Sequence, residues 1–377
     1  MSVNNELANL VRLGECIEYT EKRNNDLFYG PNDVVGMTIT KQIIPTKADV
    51  ENSDLTKFLI VSPREFVYNP RTHGKKIGLG FNNSGKTVMI SWNNISFKVK
   101  DSKIDISVLP EYLYILFCRN EWDREACYRS LGSSTEVFSW TEMCDMKIPL
   151  PSIEVQRELV ATYNGLKELA EQNEALNIPV SEACRAYIVD CKKKYPKVEL
   201  GDYIVEFDNR NSENKLKLVK SVSVTKEFKE TGAKVNKEEL EGYKLVPPNH
   251  LSYVQTTKNE KCFANALNTT NETYLVTQVN KVIRSKDLSL LNIGFLHIIF
   301  RGEEFDRYAI FNSWGSARET FDWNELCKVL IPLPPPEVQQ AIVDIYNCAE
   351  EAKKIANDAR EKMKNLCPAL VQRALNG

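Results

Sequence analysis

The sequence predicts an α+β protein with two homologous mixed α/β globular domains, separated by an antiparallel two-helix coiled-coil spacer and related by a pseudo-two-fold. Three observations carry this. A tryptophan-led stretch ending in a proline turn occurs twice; short strand-type runs precede each copy; a long helical pattern follows each.

The duplicated stretch runs W-T-E-M-C-D-M-K-I-P-L-P-S-I-E-V-Q from Trp140 and W-N-E-L-C-K-V-L-I-P-L-P-P-P-E-V-Q from Trp323, a constant offset of 183. Pro149 and Pro151 therefore answer Pro332 and Pro334, and Glu154 and Gln156 answer Glu337 and Gln339. So long a period exceeds solenoid units and implies whole duplicated domains, which suits a chain of 377 residues. Each hinge joins a domain to a helix, giving boundaries at 1–151 and 196–334 for the domains and 152–195 and 335–377 for the helices.

Within the halves, Leu13-Gly14-Glu15 returns as Leu200-Gly201-Asp202, and Arg23-Asn24 as Arg210-Asn211, at offset 187. Thr40-Lys41, Val61, Pro63 and Tyr68 return as Thr225-Lys226, Val246, Pro248 and Tyr253 at offset 185. The drift is that of short loop insertions. Runs such as Val35 to Thr40, Phe58 to Val61, Val88 to Trp92 and Ile95 to Val99 are β-branched, aromatic and bounded by turn formers, so they read as strands. Tyr112 to Phe117 and Phe295 to Phe300 lead into helical spacing around Asp123-Arg124 and Asp306-Arg307. Each domain is thus strands first and helix later.

From Ile342, apolar residues recur every three or four positions through Ile345, Ala349, Ala352, Ala356, Ala359, Met363, Leu366 and Leu370, the pattern of a coiled-coil seam. The first copy places Leu159, Thr162, Leu166, Leu169, Asn173, Leu176, Val180, Ala183 and Tyr187 at the equivalent positions, with Asn173 as a register-fixing polar residue. About 40 residues of helix make a rod of roughly 60 Å. Pro179 is expected to bend or interrupt the first helix, and Pro368 the second.

Charge does not advertise a nucleic-acid binder: 49 Lys and Arg against 51 Asp and Glu leave a net charge of −2. Two local basic regions stand out, Lys192 to Lys194 with Lys197, Lys215, Lys217 and Lys220, and Arg71 with Lys75, Lys76 and Lys86. Solvated surface is the plain reading of both. Ten cysteines without a C-x-x-C pair read as reduced thiols of a cytoplasmic protein, and no apolar run is long enough to span a membrane.

Gly80 to Thr87, G-F-N-N-S-G-K-T, fits the P-loop pattern, so a nucleotide-binding enzyme is an alternative reading. That pattern needs a helix to follow, whereas Val88 to Trp92 is strand-like. In the second half Asn271 replaces Gly85 and Glu272 replaces Lys86. Glycine and asparagine both tolerate left-handed backbone, so a tight turn explains both copies.

Other catalytic patterns are thin. His73, His250 and His297 do not repeat, no metal-ligand spacing occurs, and Tyr68-Asn69-Pro70 lacks the second proline and the aromatic of a methyltransferase tetrad. The chain is expected to be non-catalytic, without a metal.

The segment Y-N-P-R-T-H-G-K-K mixes Tyr68, Asn69, Arg71, Lys75 and Lys76 in a loop between strands, suited to phosphates and base edges, with Lys86 nearby. Its counterpart keeps Tyr253 and Lys261 but carries Gln255, Thr256, Thr257 and Lys258. Equal scaffolds with unequal loops suit two different half-sites; an ordinary polar loop, on a protein-interaction scaffold with no DNA role, is the other reading.

In order and duplication these features resemble the specificity subunit of type I restriction-modification systems. The likeness covers essentially the whole chain: the Leu-Gly openings with Arg-Asn, Y-N-P-R at Tyr68, Gly132-Ser133 and Gly315-Ser316, and the I-P-L-P-x-x-E-x-Q hinges. Glu-Val-Gln stands where the family often has Glu-Glu-Gln. The short stretch before Leu13 fits a different opening of the family's circular arrangement.

The resemblance implies two target-recognition domains reading a bipartite duplex, with two methyltransferase subunits carrying S-adenosylmethionine and restriction-translocase subunits using ATP and Mg. This chain then needs no cofactor. Trp140, Pro149, Pro151, Glu154 and Gln156, with Trp323, Pro332, Pro334, Glu337 and Gln339, become hinge or partner-docking positions.

Overall fold

The computed structural model describes residues 9–72, 76–101, 107–132, 136–232, 234–236, 238–257, 262–315 and 319–376, excepting the side chains of 9 and 367–376. The chain divides into two compact units. One comprises the residues up to Gln172 with those from Ile355 onward, the other Asn173–Lys354.

The first unit is organised on a four-stranded antiparallel sheet in the order Ile17–Thr20, Ile95–Val99, Phe66–Thr72, Ile77–Phe81. The second repeats it strand for strand as Ile204–Glu206, Asn280–Ser285, Leu251–Val254, Asn265–Leu267. Small antiparallel pairs accompany each sheet, among them Leu59–Val61 with Val88–Ile90 and Lys244–Val246 with Tyr274–Val276. Two helices cover one face in each unit: Pro110–Phe117 and Asn120–Arg129, then Ile293–Arg301 and Glu303–Phe311. The cores between sheet and helices are aromatic, with Phe66, Tyr68, Phe97, Phe117 and Phe138 in one and Tyr253, Phe263, Phe300, Phe305 and Phe321 in the other.

The sequence signatures meet in space. Leu13 N donates to Met146 O (2.8 Å) and Leu200 N to Val329 O (2.9 Å), so each Leu-Gly opening lies against its own hinge. A Cβ on Gly14 would stand 2.8 Å from Cys144 Cβ, and one on Gly201 2.8 Å from Cys327 Cβ. No side chain fits there, which is why glycine faces the hinge cysteine twice.

The long helices are Ile153–Lys194 and Pro336–Asn376. A bend or an interruption was expected at Pro179 and Pro368; the helices run on through both prolines without interruption. In the second helix the expected seam is the buried stripe: Ile342, Ala349, Ala352, Ala356 and Ala359 are all buried.

The first-helix seam keeps its expected place at Leu159, which is buried, and at Leu166, Asn173, Val180 and Ala183, which are half-buried, and is displaced at the other positions. Thr162, Leu169, Leu176 and Tyr187 are exposed, while Ala170, Cys184 and Cys191 are buried. At those positions small side chains permit close approach, so alanine and cysteine occupy the contact in place of Leu169 and Leu176. Within the second unit the two helices pair antiparallel. Asn177 Nδ2 donates to Ala349 O (2.7 Å), and further along Cys184, Ile188 and Cys191 share a core with Ile342, Ile345 and Tyr346. Asn177, one turn beyond Asn173, makes a polar bond across the pair.

Candidate nucleic-acid interface

In the hairpin Phe66–Thr72/Ile77–Phe81 the pairing runs Phe66↔Phe81, Tyr68↔Leu79 and Thr72↔Ile77, with an irregularity between Tyr68 and Thr72. Strand alternation turns Phe66 and Tyr68 to the same face, into the core. Tyr68 is fully buried with its hydroxyl 3.4 Å from Phe138 O, and Tyr253 is equally buried with no partner for its hydroxyl among the described residues. Burial pushes both phenol pKa values well up. Both tyrosines were expected at DNA, and both are core: a side chain sealed under a sheet cannot reach a duplex.

The residues that leave the core come after the tyrosine. Asn69 is half-buried and its Oδ1 accepts from Arg71 N (3.0 Å), a local bond that turns the chain, and Arg71 points to solvent. Lys76 is half-buried and Lys86 exposed. In the second unit Gln255 and Thr256 are half-buried. Thr257 is 1% exposed, its hydroxyl bonded to Ser313 Oγ (2.7 Å), which removes it from the accessible set. Lys75, Lys258 and Lys261 lie outside the described residues.

A second segment flanks each loop. Arg71 and Leu131 both bridge Val137, Thr72 N donates to Glu136 O (3.1 Å) and Phe138 N to Pro70 O (2.7 Å). In the other unit Thr256 and Trp314 both bridge Thr320, Thr257 N donates to Glu319 O (3.0 Å) and Phe321 N to Gln255 O (2.8 Å). The same edge is built twice. The side chains it presents differ, Arg71 standing where the other unit has Thr256.

The root of each loop is pinned by a buried ion pair. Lys41 Nζ reaches Asp123 Oδ1 (2.5 Å) and Ile77 O (2.5 Å), and Ile77 N donates to the same Asp123 oxygen (3.1 Å). Lys226 Nζ reaches both carboxylate oxygens of Asp306 (2.7 and 2.8 Å) and Phe300 O (2.8 Å), and Phe263 N donates to Asp306 Oδ1 (2.8 Å). Both lysines hold left-handed backbone, φ 65° and 63°. A buried pair gives little net stability but is costly to break, so it fixes where the hairpin meets the helix. The repeats Thr40-Lys41/Thr225-Lys226 and Asp123-Arg124/Asp306-Arg307 were the signal. Nothing in the sequence said that the two touch.

The hinges are clamps more than docking surfaces. Gln156 is fully buried, donating to Ser107 O (3.0 Å) and Pro151 O (3.0 Å) and accepting from Leu109 N (2.9 Å). Gln339 repeats this with Leu290 O (2.9 Å), Pro334 O (2.8 Å) and Asn292 N (2.8 Å). Each glutamine ties the first turn of a long helix to the loop ahead of its unit's paired helices. Pro149, Pro151, Pro332 and Pro334 are buried too, and Trp140 packs on Tyr19 and Phe97 (5.6 Å to each ring), half-buried like Trp323. Glu154 and Glu337 alone of these positions face solvent.

The segment Gly80 to Thr87 is a turn between strands and lacks the helix that a phosphate cradle needs. Its organiser is Asn82, whose Nδ2 donates to Val61 O (2.9 Å) and Lys86 O (2.8 Å) while Oδ1 accepts from Ser84. Asn268 does the same with Val246 O (2.9 Å), Glu272 O (2.7 Å) and Thr270. Gly85 is left-handed (φ 72°) but Asn271 is not among the left-handed residues, so the buried asparagine, and not a shared glycine-like conformation, explains both copies. The lysine-rich region is largely paired: Lys192 with Glu304, Lys194 with Asp190 (2.7 Å), Lys215 with Glu213 and Lys220 with Glu230.

No group of metal-ligating side chains occurs among the described residues, and none of their helices is long and apolar enough to cross a membrane.

No family model matches the chain, and no curated protein matches it in sequence. Among solved structures, the S subunit of a type I restriction-modification system from M. genitalium aligns over 100% of this chain and 97% of its own, with TM-score 0.58 and 10% identity. The HsdS subunit from Thermoanaerobacter tengcongensis aligns over 98% and 96%, with TM-score 0.40 and 16% identity. The first of these likenesses sets the fold: this chain has the fold of a type I specificity subunit along its whole length.

Proposed function

We propose that this chain is the non-catalytic DNA-specificity subunit of a type I restriction-modification complex, each unit reading one half of a bipartite target. The observation that carries the reading is one scaffold present twice with different side chains on the same loop edge. Phosphate and base contacts then fall to Asn69, Arg71, Lys75, Lys76 and Lys86 in one unit and to Gln255, Thr256, Lys258 and Lys261 in the other. Two methyltransferase subunits carrying S-adenosylmethionine, and translocase subunits using ATP and Mg, supply the chemistry. The long helices set the unread gap. A cytoplasmic location follows from that role.

Selection from random duplexes by the chain assembled with its methyltransferase partner tests this. The expected product is two short constant blocks around a fixed unread gap, bound with an affinity that falls steeply with salt as contacted phosphates release counterions. Recovery of unselected duplex, or a salt-independent affinity, would contradict it.

A further inference from the structure

We propose a second contact surface for the duplex in each unit, the exposed stripe Arg124, Tyr128 and Leu131 in one and Arg307, Phe311 and Trp314 in the other; it rests on the function proposed above. The stripe repeats at the 183-residue offset of the hinges. Tyr128 and Phe311 are each 88% exposed, Leu131 74% and Trp314 68%. A single large apolar side chain on a surface needs no explanation, but a pair of them at the same places in two units marks a surface used for contact. The stripe has no seat in its own unit's core: inward-facing Trp122 and Ala126, or Phe305 and Ala309, fill that side of the helix.

Its position names the occupant. Leu131 is one bridged strand from Arg71 through Val137, and Trp314 one bridged strand from Thr256 through Thr320, so each stripe continues the edge of its unit's reading loop. One helical turn before each aromatic stands an arginine, Arg124 with 77% of its side chain exposed and Arg307 with 72%. Their ion pairs, to Glu121 (3.3 Å) and Glu303 (3.9 Å), are surface pairs of the kind that hold weakly and give way to a phosphate. Arginine, an aromatic ring and an apolar tip beside polar loop residues suit a duplex: the guanidinium takes a phosphate, and the apolar groups lie on sugar edges and thymine methyls.

The test uses the full chain assembled with its methyltransferase partner and the duplex recovered by selection. Tyr128→Ala/Leu131→Ala and Phe311→Ala/Trp314→Ala are compared with the parent for affinity, half-site preference and co-purification of the methyltransferase. Each double substitution is expected to weaken binding about tenfold or more and to relax only its own unit's half-site, with co-purification unchanged. Trp314 provides a reading in the unaltered fold: duplex addition should change the emission of the parent complex and change that of Trp314→Phe less. Unchanged affinity and half-sites overturn the inference while leaving the function standing. Loss of the methyltransferase at unchanged duplex affinity makes the stripe a protein-docking surface and also overturns it. A parent complex that selects no sequence overturns both.

Discussion

Lys41→Met tests the pin at the loop root. Lys41 and Asp123 side chains are 3% and 9% exposed, so the substitution strands a carboxylate in the core with Ile77 N as its one remaining donor among the described residues and leaves Ile77 O without the lysine. Removing one member of such a pair costs about 3–5 kcal/mol. For a unit of this size each kcal/mol lowers the midpoint by about 2–4 °C, so the unit's transition should fall by about 6–20 °C. Calorimetry of the full chain reads it, the transition of the unit with the Asn173–Lys354 sheet staying in place. Adding Asp123→Asn removes the stranded charge, and the new amide can both accept from Ile77 N and donate to Ile77 O. The double variant should recover about half the loss, a coupling of about 1–3 kcal/mol. A single variant costing under about 1 kcal/mol, or strict additivity, would refute the view that charge compensation fixes this junction.

Three further outcomes follow from the same geometry. Gln156→Ala should cost about 2 kcal/mol or more, because it leaves Pro151 O and Leu109 N without partners at a buried hinge, and Gln339→Ala should cost as much in the other unit; chemical denaturation reads both. Asn82→Ala should destabilise by about 1–3 kcal/mol, and Lys86→Ala should leave both stability and any ATP signal in calorimetric titration unchanged, since the segment is an asparagine-organised turn. Burial, with Arg301 and Lys226 nearby, holds the His297 pKa down to about 3 from 6.5. The folded unit therefore keeps this ring neutral while the unfolded chain takes up a proton below 6.5, so this contribution is full above that pH and declines as pH falls toward 3, by up to about 1.4 kcal/mol for each pH step of one. His297→Gln should flatten the decline between pH 6.5 and 5; His250, which burial also holds down, contributes to what is left. Equal slopes in parent and variant would contradict this.

What could be read from the sequence was whatever repeated or had a period. The hinge duplication, the strand runs and the alanine seam of the second helix are local patterns, and local patterns survive into structure. Part of the first seam is displaced because Leu169, Leu176 and Tyr187 are the larger apolar residues, while close helix contact selects Ala170, Cys184 and Cys191 for size. Tyr68 was placed at DNA for standing beside Asn69 and Arg71; strand alternation, which puts it on the core face with Phe66, was the better guide. The Lys41–Asp123 contact spans 82 residues, and a repeat can mark both partners without saying that they meet. Tyr128 and Phe311 carried a signal that was available, an aromatic one turn after an arginine at the same place in both halves.

That two units read two half-sites is tested most directly by the DNA methylation map of cells expressing this chain with the proposed methyltransferase partner. The expected map shows one bipartite motif, with two constant blocks around an unread gap of fixed length. Exchanging the loop residues Asn69 to Lys76 should change one block only. A contiguous motif, or no motif, would contradict it.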